Sequence, residues 1–329
     1  MKQVISIVVP CYNEEEALPV TAKKIEEKIT ALKKNDKFKC ITDYSVYFVD
    51  DGSQDGTWNL IQQLNEENKL FCGIKLSRNK GHQNALLAGL VTAKETSSAV
   101  ISMDADLQDD IDAIDEMLDK YLAGVDVVYG VRSSRATDTF FKRVTAQGFY
   151  KFLRFFSDNP QNIIYNHADY RLMSRRAIEG LESYSEINLF LRGIVPDIGY
   201  KQDMVCYERR ERVAGESKYP LKKMWAFAVQ GITSLSIKPM RLITMLGFLL
   251  FFTSLVMLSY FLIRHFTGHT VVGWSTLAVS VWGIGGLIQM SIGVCGEYIG
   301  KIYLETKRRP RFIIETILDK RMMKYERSE

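Results

Sequence analysis

Short apolar, β-branched runs alternate with helical segments along roughly the first 130 residues, and polar residues follow each run. The segments between the runs place their apolar residues at helical spacing. Strands that alternate with helices in this way are joined by right-handed crossovers and lie parallel to one another. The pattern therefore predicts an α/β fold with a doubly wound parallel sheet. The predicted strands are Val4–Val9, Tyr44–Val49, Phe71–Leu76, Ala99–Met103 and Asp126–Tyr129.

Acidic residues follow the fourth predicted strand directly. Its residues are apolar on both faces, as in strands inside a parallel sheet, and ligands of such sheets collect at the carboxyl ends of the strands. Asp104, Asp106 and Gln108 come directly afterwards. A chain leaving a strand can turn these oxygens toward one hard cation, Mg²⁺ or Mn²⁺, which would neutralise a diphosphate leaving group. The alternative is an acidic loop that caps the next helix through Asp109 or Asp110.

Two uncharged stretches are long enough to cross a bilayer. Leu242–Ile263 has 22 residues, about 33 Å as a helix, and Thr270–Gly296 has 27. Neither has the polar face expected of a core helix. Basic residues precede the first stretch and follow the second, and only a short loop separates the two stretches. The positive-inside rule therefore predicts a transmembrane hairpin with both flanks in the cytosol. The flanking residues are Lys238, Arg241, Lys301, Lys307, Arg308 and Arg309.

Composition narrows the class of protein. The sequence opens without a signal peptide, so residues 1 to about 237 are expected on the cytosolic side of the cytoplasmic membrane. Five cysteines without metal-ligand spacing indicate reduced thiols. A net charge of +4 is too small to suggest a nucleic-acid partner. The stretch from Lys201 to Arg241 contains nine basic residues and four acidic residues, an excess of positive charge that suits an anionic membrane surface or a phosphate-bearing substrate.

Two common nucleotide-binding signatures do not occur. No G-x-G-x-x-G follows the first strand and the sequence contains no G-x-x-x-x-G-K-[ST], which argues against a dinucleotide oxidoreductase and a P-loop NTPase. Asp50 and Asp51 end the second strand and can hydrogen-bond a base or ribose edge. The alternative for Asp51-Gly52-Ser53 is a tight turn followed by a helix cap.

The order of the motifs resembles the GT-A glycosyltransferases of family 2. The motifs are Val9-Pro10-Cys11-Tyr12-Asn13-Glu14, Asp50-Asp51-Gly52-Ser53, Asp55-Gly56-Thr57, Arg78-Asn79-Lys80-Gly81 and Asp104-Ala105-Asp106-Leu107-Gln108. Two later motifs followed by two spans look like the polyprenyl-phosphate glycosyltransferases, which include bactoprenol glucosyltransferases and dolichol-phosphate mannose synthase. These are Asn166-His167-Ala168-Asp169-Tyr170-Arg171-Leu172-Met173-Ser174 and Gly215-Glu216-Ser217-Lys218-Tyr219. Cys11 departs from the usual Thr or Val, with little consequence expected because the backbone makes the contact there.

The resemblance implies a metal-dependent enzyme that moves a monosaccharide from a nucleotide diphosphate to the phosphate of a membrane polyprenol, with inversion. UDP-glucose and undecaprenyl phosphate are the expected substrates in a bacterium. Asp106 and Gln108, with Asp104 alongside, would hold Mg²⁺ or Mn²⁺. Arg212 and Lys218 would close over the donor phosphates as a lid, or else are ordinary membrane-facing basic residues. The donor nucleotide would contact Pro10, Tyr12, Glu14, Asp50, Asp51, Asp104, Arg212 and Lys218.

Asp169 stands, with Asp106, where the resemblance puts the catalytic carboxylates. A lipid phosphate monoester has a second pKa near 6, so its attacking oxygen is largely ionised at neutral pH. Asp169 can therefore orient the acceptor or steady positive charge on the sugar instead of removing a proton. The alternative is a salt bridge to Arg171 or Arg175. The acceptor phosphate is expected to contact Arg132, Arg135 and Arg175, whereas His82 and His167 are expected to be structural.

The predicted organisation has four parts. These are a cytosolic GT-A domain (1–218), an amphipathic interface helix (219–238), two transmembrane helices at about 242–263 and 271–295 within 239–296, and a basic cytosolic tail (297–329). We expect a homo-oligomer, with a tetramer as one candidate. Other donors (UDP-N-acetylglucosamine, an aminoarabinose nucleotide, GDP-mannose) and a catalytically silent lipid-binding scaffold stay open as alternatives. A processive synthase is disfavoured because no Q-x-x-R-W follows and two spans are too few for a channel.

Overall fold

The computed structural model describes residues 3–132, 167–187, 189–208 and 274–321, and between the last two ranges Met240, residues 243–249 and scattered positions up to Thr267. An eight-stranded sheet forms the centre, in the order β7-β5-β6-β4-β1-β2-β3-β8. Its strands are β1 Gln3–Cys11, β2 Ile41–Asp50, β3 Phe71–Leu76, β4 Ala99–Ser102, β5 Val127–Arg132, β6 His167–Ser174, β7 Gln202–Tyr207 and β8 Ile314–Leu318.

The described residues also form α-helices, and those in the first part of the chain pack on both faces of the sheet. The helices are α1 Leu18–Lys34, α2 Thr57–Glu67, α3 His82–Ala93, α4 Ala113–Leu122, α5 Arg175–Glu182, α6 Leu191–Asp197 and α7 Trp274–Thr306, with a short 3-10 helix at Asp36–Phe38. Side chains alternate between the faces along each strand, so Ile7 packs on the α1, α2 and α4 side and Val8 on the α3 side. Both are fully buried, which explains why the central strands are apolar without interruption.

The α/β class is confirmed, and the sheet is mixed where a parallel one was predicted. The first four strands are parallel, in the order β4-β1-β2-β3. Strand β6 lies between β4 and β5 and runs antiparallel to both. Its first residues therefore lie at the edge where β1 to β4 end, which we call the carboxyl edge. The opposite edge holds the last residues of β6 and the first residues of β4.

Helix α3 packs unusually close to the sheet and begins at the carboxyl edge. A Cβ on Gly89 would come within 2.4 Å of a Val8 methyl and 2.8 Å of a Val49 methyl, so only glycine permits this approach. The close packing fixes the first turn of α3, and with it His82, above the ends of the central strands.

The last elements return to the same sheet. Strand β8 pairs antiparallel with β3, so part of the predicted basic tail forms the outermost strand on that side of the sheet. Helix α7 has 33 residues and runs beyond the predicted boundary at residue 296. Within the part of the chain that the structure describes, none of the helices combines the length and the hydropathy that a membrane crossing requires. Much of the predicted span 242–263 lies outside the described residues, and the hairpin and the division into four parts stay predictions.

Candidate active site

Loops that follow β1, β2 and β3 are tied together at the carboxyl edge. Both carboxylate oxygens of Asp51 accept backbone hydrogen bonds, from Lys80 N–H at 2.7 Å and Gly81 N–H at 2.8 Å. Gly52 has φ +69°, and a Cβ there would lie 2.6 Å from Asn79 N, so the two loops can meet only at a glycine. The carboxylate of Asp51 thus holds the loop after β3, and its predicted contact with the nucleotide stays a prediction.

The predicted nucleotide-binding residues that the structure describes lie together at this edge. Asp50 is fully buried as the last residue of β2, and its Oδ1 accepts a hydrogen bond from Ser53 N–H at 3.1 Å. Its Oδ2 has no hydrogen-bond partner among the described residues. Tyr12, which is 44% exposed, follows Cys11, the residue that pairs with Asp50 in the sheet. Pro10 lies inside β1, and Glu14 N–H donates to Thr57 Oγ1 at 2.9 Å. Asp50 thus carries a buried acceptor oxygen that the described residues leave unpaired.

A cluster of carboxylates surrounds Asp104, just beyond β4. The pKa of the Asp104 carboxyl is raised to about 6, first because burial disfavours the charged form and then because other carboxylates repel it, with His82 acting in the opposite sense. The Asp106 Oδ1 accepts a hydrogen bond from Gln108 N–H at 3.1 Å, so the loop turns back on itself there. The repelling carboxylates are those of Asp109, Asp169 and Asp106.

This cluster fits a divalent cation in kind. Mg²⁺ and Mn²⁺ bind through one or two carboxylates and complete their shells with water and substrate phosphate oxygens. Among the described residues no three Asp, Glu, His or Cys side chains form a ready-made metal cage. Asp104, Asp106 and the Gln108 amide are therefore the groups that could bind a metal ion together with a substrate. The negative charge crowded there would favour a bound cation.

His82 links the acid cluster to Asp169. Its Nε2 lies 3.5 Å from Asp104 Oδ1 and 3.7 Å from Asp169 Oδ2. A structural histidine was predicted at this position, and the structure places it between Asp104 of the acid cluster and Asp169. The only sequence signal was its position directly after the Arg78-Asn79-Lys80-Gly81 motif.

Asp169 is held between two arginines. Arg171 Nη2 donates to its Oδ1 at 2.5 Å and Arg192 Nη2 donates to its Oδ2 at 3.2 Å. Burial alone would raise the pKa of Asp169, but Arg192, Arg171 and His82 outweigh it and hold that pKa far below its usual range. Asp169 is therefore ionised at any working pH, which makes it a weak proton acceptor and a strong electrostatic group. The alternative of an Arg171 salt bridge is also realised, so the two interpretations are compatible.

Arg132 lies at the carboxyl edge but is already engaged. Its Nη2 donates to Asp109 Oδ1 at 3.2 Å and its Nε donates to Tyr207 Oη at 3.3 Å. Tyr207 Oη also donates to Asp109, which is buried. Asp109 is therefore no helix cap; Asp112 stands at the N-cap position of α4 and makes no side-chain cap bond.

Similarity to known proteins shows the family of this chain. A sequence profile described as Glycosyl transferase family 2 matches residues 6–181, more than half of the chain and all of the edge from β1 to β6. The chain belongs to this family. The acids at the carboxyl edge of an α/β sheet are in keeping with the GT-A fold that the resemblance implied.

Several proteins resemble this chain over almost its whole length. A Bacillus subtilis (strain 168) protein named Uncharacterized glycosyltransferase YkoT is 53% identical, covering 96% of this chain and 93% of its own. The Prophage bactoprenol glucosyl transferase homolog of Escherichia coli (strain K12) is 40% identical, covering 95% and 99%. The Bactoprenol glucosyl transferase of Shigella phage SfX is 41% identical, with the same coverage.

The structure does not bring every predicted residue of this family 2 site together. Arg175 follows β6 at the opposite edge, where its N–H donates to Ser98 O and its Nε to Glu179 at 3.2 Å. It is removed from the acceptor site because β6 is antiparallel to β4, which puts Asp169 and Arg175 at opposite ends of one strand. Arg135, Arg212 and Lys218 lie outside the described residues.

Proposed function

We propose that this chain transfers glucose from UDP-glucose to undecaprenyl phosphate at the cytoplasmic face of a membrane, with inversion at the anomeric carbon. The observation that carries the proposal is the meeting of an acid cluster around Asp104 with the arginine-paired carboxylate of Asp169 at one edge of the sheet. Relatives named bactoprenol glucosyl transferase support the choice of acceptor and sugar, since they match over nearly their whole length.

The donor would lie over the ends of β1, β2 and β4. The unused Oδ2 of Asp50 can accept a hydrogen bond from the uracil or the ribose, and the exposed ring of Tyr12 can pack on the base. Asp104, Asp106 and Gln108 would hold Mg²⁺ or Mn²⁺, which when bound supplies positive charge for the departing diphosphate.

Asp169 would act on the acceptor side without removing a proton. The acceptor is a phosphate monoester whose second pKa is near 6, so its attacking oxygen is largely ionised at neutral pH. The low pKa of Asp169 keeps its carboxylate negative throughout. A fixed negative charge there can steady the positive charge that develops on the sugar ring as the bond to the diphosphate breaks.

Membrane attachment is part of the proposal because the acceptor is a lipid. Support comes from α7, which exposes a series of large apolar side chains that water solvates poorly. They include Leu277, Val281, Ile284, Ile288 and Ile292. A bilayer would cover such a surface, and the basic residues outside the two predicted spans favour a cytosolic active site.

The test is a transfer assay on the full chain purified in detergent. The chain is incubated with undecaprenyl phosphate, Mn²⁺ or Mg²⁺, and one radiolabelled donor at a time, and label is counted in the organic phase. The donors are UDP-glucose, UDP-N-acetylglucosamine, an aminoarabinose nucleotide and GDP-mannose. Label from UDP-glucose alone that a chelator abolishes is the expected result. Label from a different donor would replace the sugar, and no label from any donor would favour the silent scaffold.

A further inference from the structure

The imidazole of His82 lies near two carboxylates at the carboxyl edge without a normal hydrogen bond to either. Its Nε2 is 3.5 Å from Asp104 Oδ1 and 3.7 Å from Asp169 Oδ2. Both distances are longer than the roughly 2.9 Å of a normal N–H···O bond. The side chain is 45% exposed, so a ligand can reach the ring. The space between the ring and the two carboxylates is therefore a candidate binding position.

The position of His82 is fixed by its neighbours in the chain. Gly81 N–H donates to Asp51 Oδ2 at 2.8 Å, which holds the residue before it to the loop after β2. Gln83 Oε1 accepts a hydrogen bond from Leu191 N–H at 3.0 Å, which holds the residue after it to the start of α6. The place of the ring is thus built into the fold, as expected of a residue that contacts a ligand.

His82 presents a hydrogen-bond donor to the space between the two carboxylates. A neutral imidazole carries its hydrogen on one of its two nitrogens. A lone pair on Nε2 would face the negative charges of Asp104 and Asp169, so the tautomer with the hydrogen on Nε2 is favoured, and a protonated ring has a hydrogen there as well. In each favoured form of the ring, one N–H faces two acceptors that lie beyond its normal reach.

A hydroxyl group satisfies this arrangement better than an anion or a cation. It accepts a hydrogen bond from Nε2–H and donates its own hydrogen to one of the carboxylates. An ionised phosphate oxygen has no hydrogen to donate, and Asp104 and Asp169 would repel it. A metal ion cannot accept a hydrogen bond from the ring. The transferred hexose is the part of the two substrates that is rich in hydroxyl groups.

We propose that His82 hydrogen-bonds one hydroxyl of the transferred hexose and so helps to select the sugar, an inference that rests on the proposed function. In that function Asp104 lies at the metal-bound diphosphate and Asp169 lies on the acceptor side, so the hexose lies between them, beside the ring that is close to both. The hydroxyl accepts from Nε2 and donates to one of the two carboxylates. A site that hydrogen-bonds a hydroxyl rejects an analogue without it, because its polar groups are then left unpaired.

The test combines variants of His82 with donors that lack single hydroxyl groups. His82→Ala, His82→Gln and the control Gln63→Ala, at an exposed position of α2, are each assayed as the full chain in detergent with undecaprenyl phosphate and Mn²⁺. The donors are UDP-glucose and its four deoxyglucose analogues, each without one hydroxyl of the sugar. The affinity for UDP, which carries no hexose, is measured by calorimetry with Mn²⁺.

The expected result is a coupling between His82 and one hydroxyl. His82→Ala should lower kcat/KM for UDP-glucose about ten- to a hundredfold, and it should cause no further loss with the one analogue that lacks the bound hydroxyl. With the other three analogues its full effect should remain. UDP affinity should not change. His82→Gln, whose amide also donates a hydrogen bond, should recover part of the loss, and Gln63→Ala should match the wild type.

The other outcomes overturn the inference in recognisable ways. Equal losses with UDP-glucose and all four analogues would show that the ring positions the carboxylates or binds water. An equal loss of UDP affinity would assign His82 to the nucleotide or the metal, and a raised KM for undecaprenyl phosphate alone would assign it to the acceptor. If the wild type transfers no sugar from any donor, the proposed function fails, whereas normal transfer by His82→Ala overturns only the role of His82.

Discussion

Among the described residues, the carboxyl edge of the sheet leaves some buried carboxylate oxygens unpaired, whereas the buried Asp126 at the opposite edge is fully paired. At the opposite edge, Asp126 is satisfied: Arg176 donates to both of its oxygens and Ser174 Oγ donates to Oδ1 at 2.8 Å. At the carboxyl edge, Asp50 and Asp109 each keep one buried oxygen without a hydrogen-bond partner among the described residues. Asp126 is thus paired entirely within the fold, whereas Asp50 and Asp109 keep oxygens that the described residues leave unpaired.

The unpaired oxygens at the carboxyl edge affect the stability of the fold. A buried polar atom that lacks a partner costs about 1–3 kcal/mol, so the carboxyl edge is less stable than its burial suggests. Burial of the Asp104 carboxyl, and after it repulsion from the neighbouring carboxylates, raises its pKa to about 6 and adds to the cost of keeping it charged. Ligands that supply donors or positive charge at this edge should therefore stabilise the fold. Substitutions at the two edges should separate loss of activity from loss of stability.

The largest effect is expected at Asp106. Asp106→Ala removes a proposed metal ligand from a partly exposed loop, so transfer should fall about a thousandfold or more while the thermal melting curve stays close to that of the wild type. Asp119→Ala, which removes an acid from α4 paired with Lys37, is the matched control and should retain activity. Near-normal turnover of Asp106→Ala with saturating metal would contradict the metal assignment.

Asp169→Asn should lose both transfer activity and stability. Transfer is expected to fall about a hundredfold because the fixed negative charge is gone. Stability should also fall, since Arg171 would be left buried beside a neutral amide, and the cost of breaking such a pair is about 3–5 kcal/mol. Activity per folded molecule, with folding measured by circular dichroism, separates the two effects. A folded variant of full activity would reduce Asp169 to a structural residue.

Much of this fold could be predicted from the sequence, since local patterns carry it. The apolar runs located β1 to β5 closely, and the acids after β4 identified the carboxyl edge. Strand β6 was missed although Ala168, Tyr170 and Leu172 alternate with Asp169 and Arg171, which is a strand pattern. That omission explains why Arg175 was grouped with the predicted acceptor-site residues, although it follows β6 at the opposite edge.

The contacts that complete the site could not be predicted, because they join residues far apart in the chain. His82 meets Asp169 only because β6 enters beside β4 in the antiparallel direction. Arg192 reaches the same carboxylate from α6, and no motif marks it in the sequence. Sequence patterns specify which edge will hold a ligand, whereas tertiary pairing decides which charges share it.

Gly52→Ala should weaken the carboxyl edge without removing any charged group. Its φ of +69° is strained for alanine, and the new Cβ would lie 2.6 Å from Asn79 N, so the loops after β2 and β3 must separate. We expect a loss of about 1–3 kcal/mol in the free energy of unfolding, measured by urea denaturation, and weaker UDP binding. Gly124→Ala, at φ +85° with nothing near its Cβ, is the control that isolates backbone strain from the clash. Equal effects of the two substitutions would show that the close approach of the loops is unimportant.

Asp126→Asn should have the smallest effect, and only on stability. The hydrogen bond from Arg176 is the main reason that the pKa of Asp126 lies below its usual range, so the carboxylate stabilises the fold above the unfolded-state pKa near 3.9 and loses that contribution as the pH falls through the folded-state value. Because Arg176 is exposed, a loss of only about 1 kcal/mol is expected at pH 7, and the difference between variant and wild type should shrink as the pH is lowered toward 3. Urea denaturation at the two pH values measures this, with transfer activity as the second readout. A loss of turnover in the folded variant would show that the two edges are coupled, and a difference that grows in acid would contradict the direction of the pKa shift.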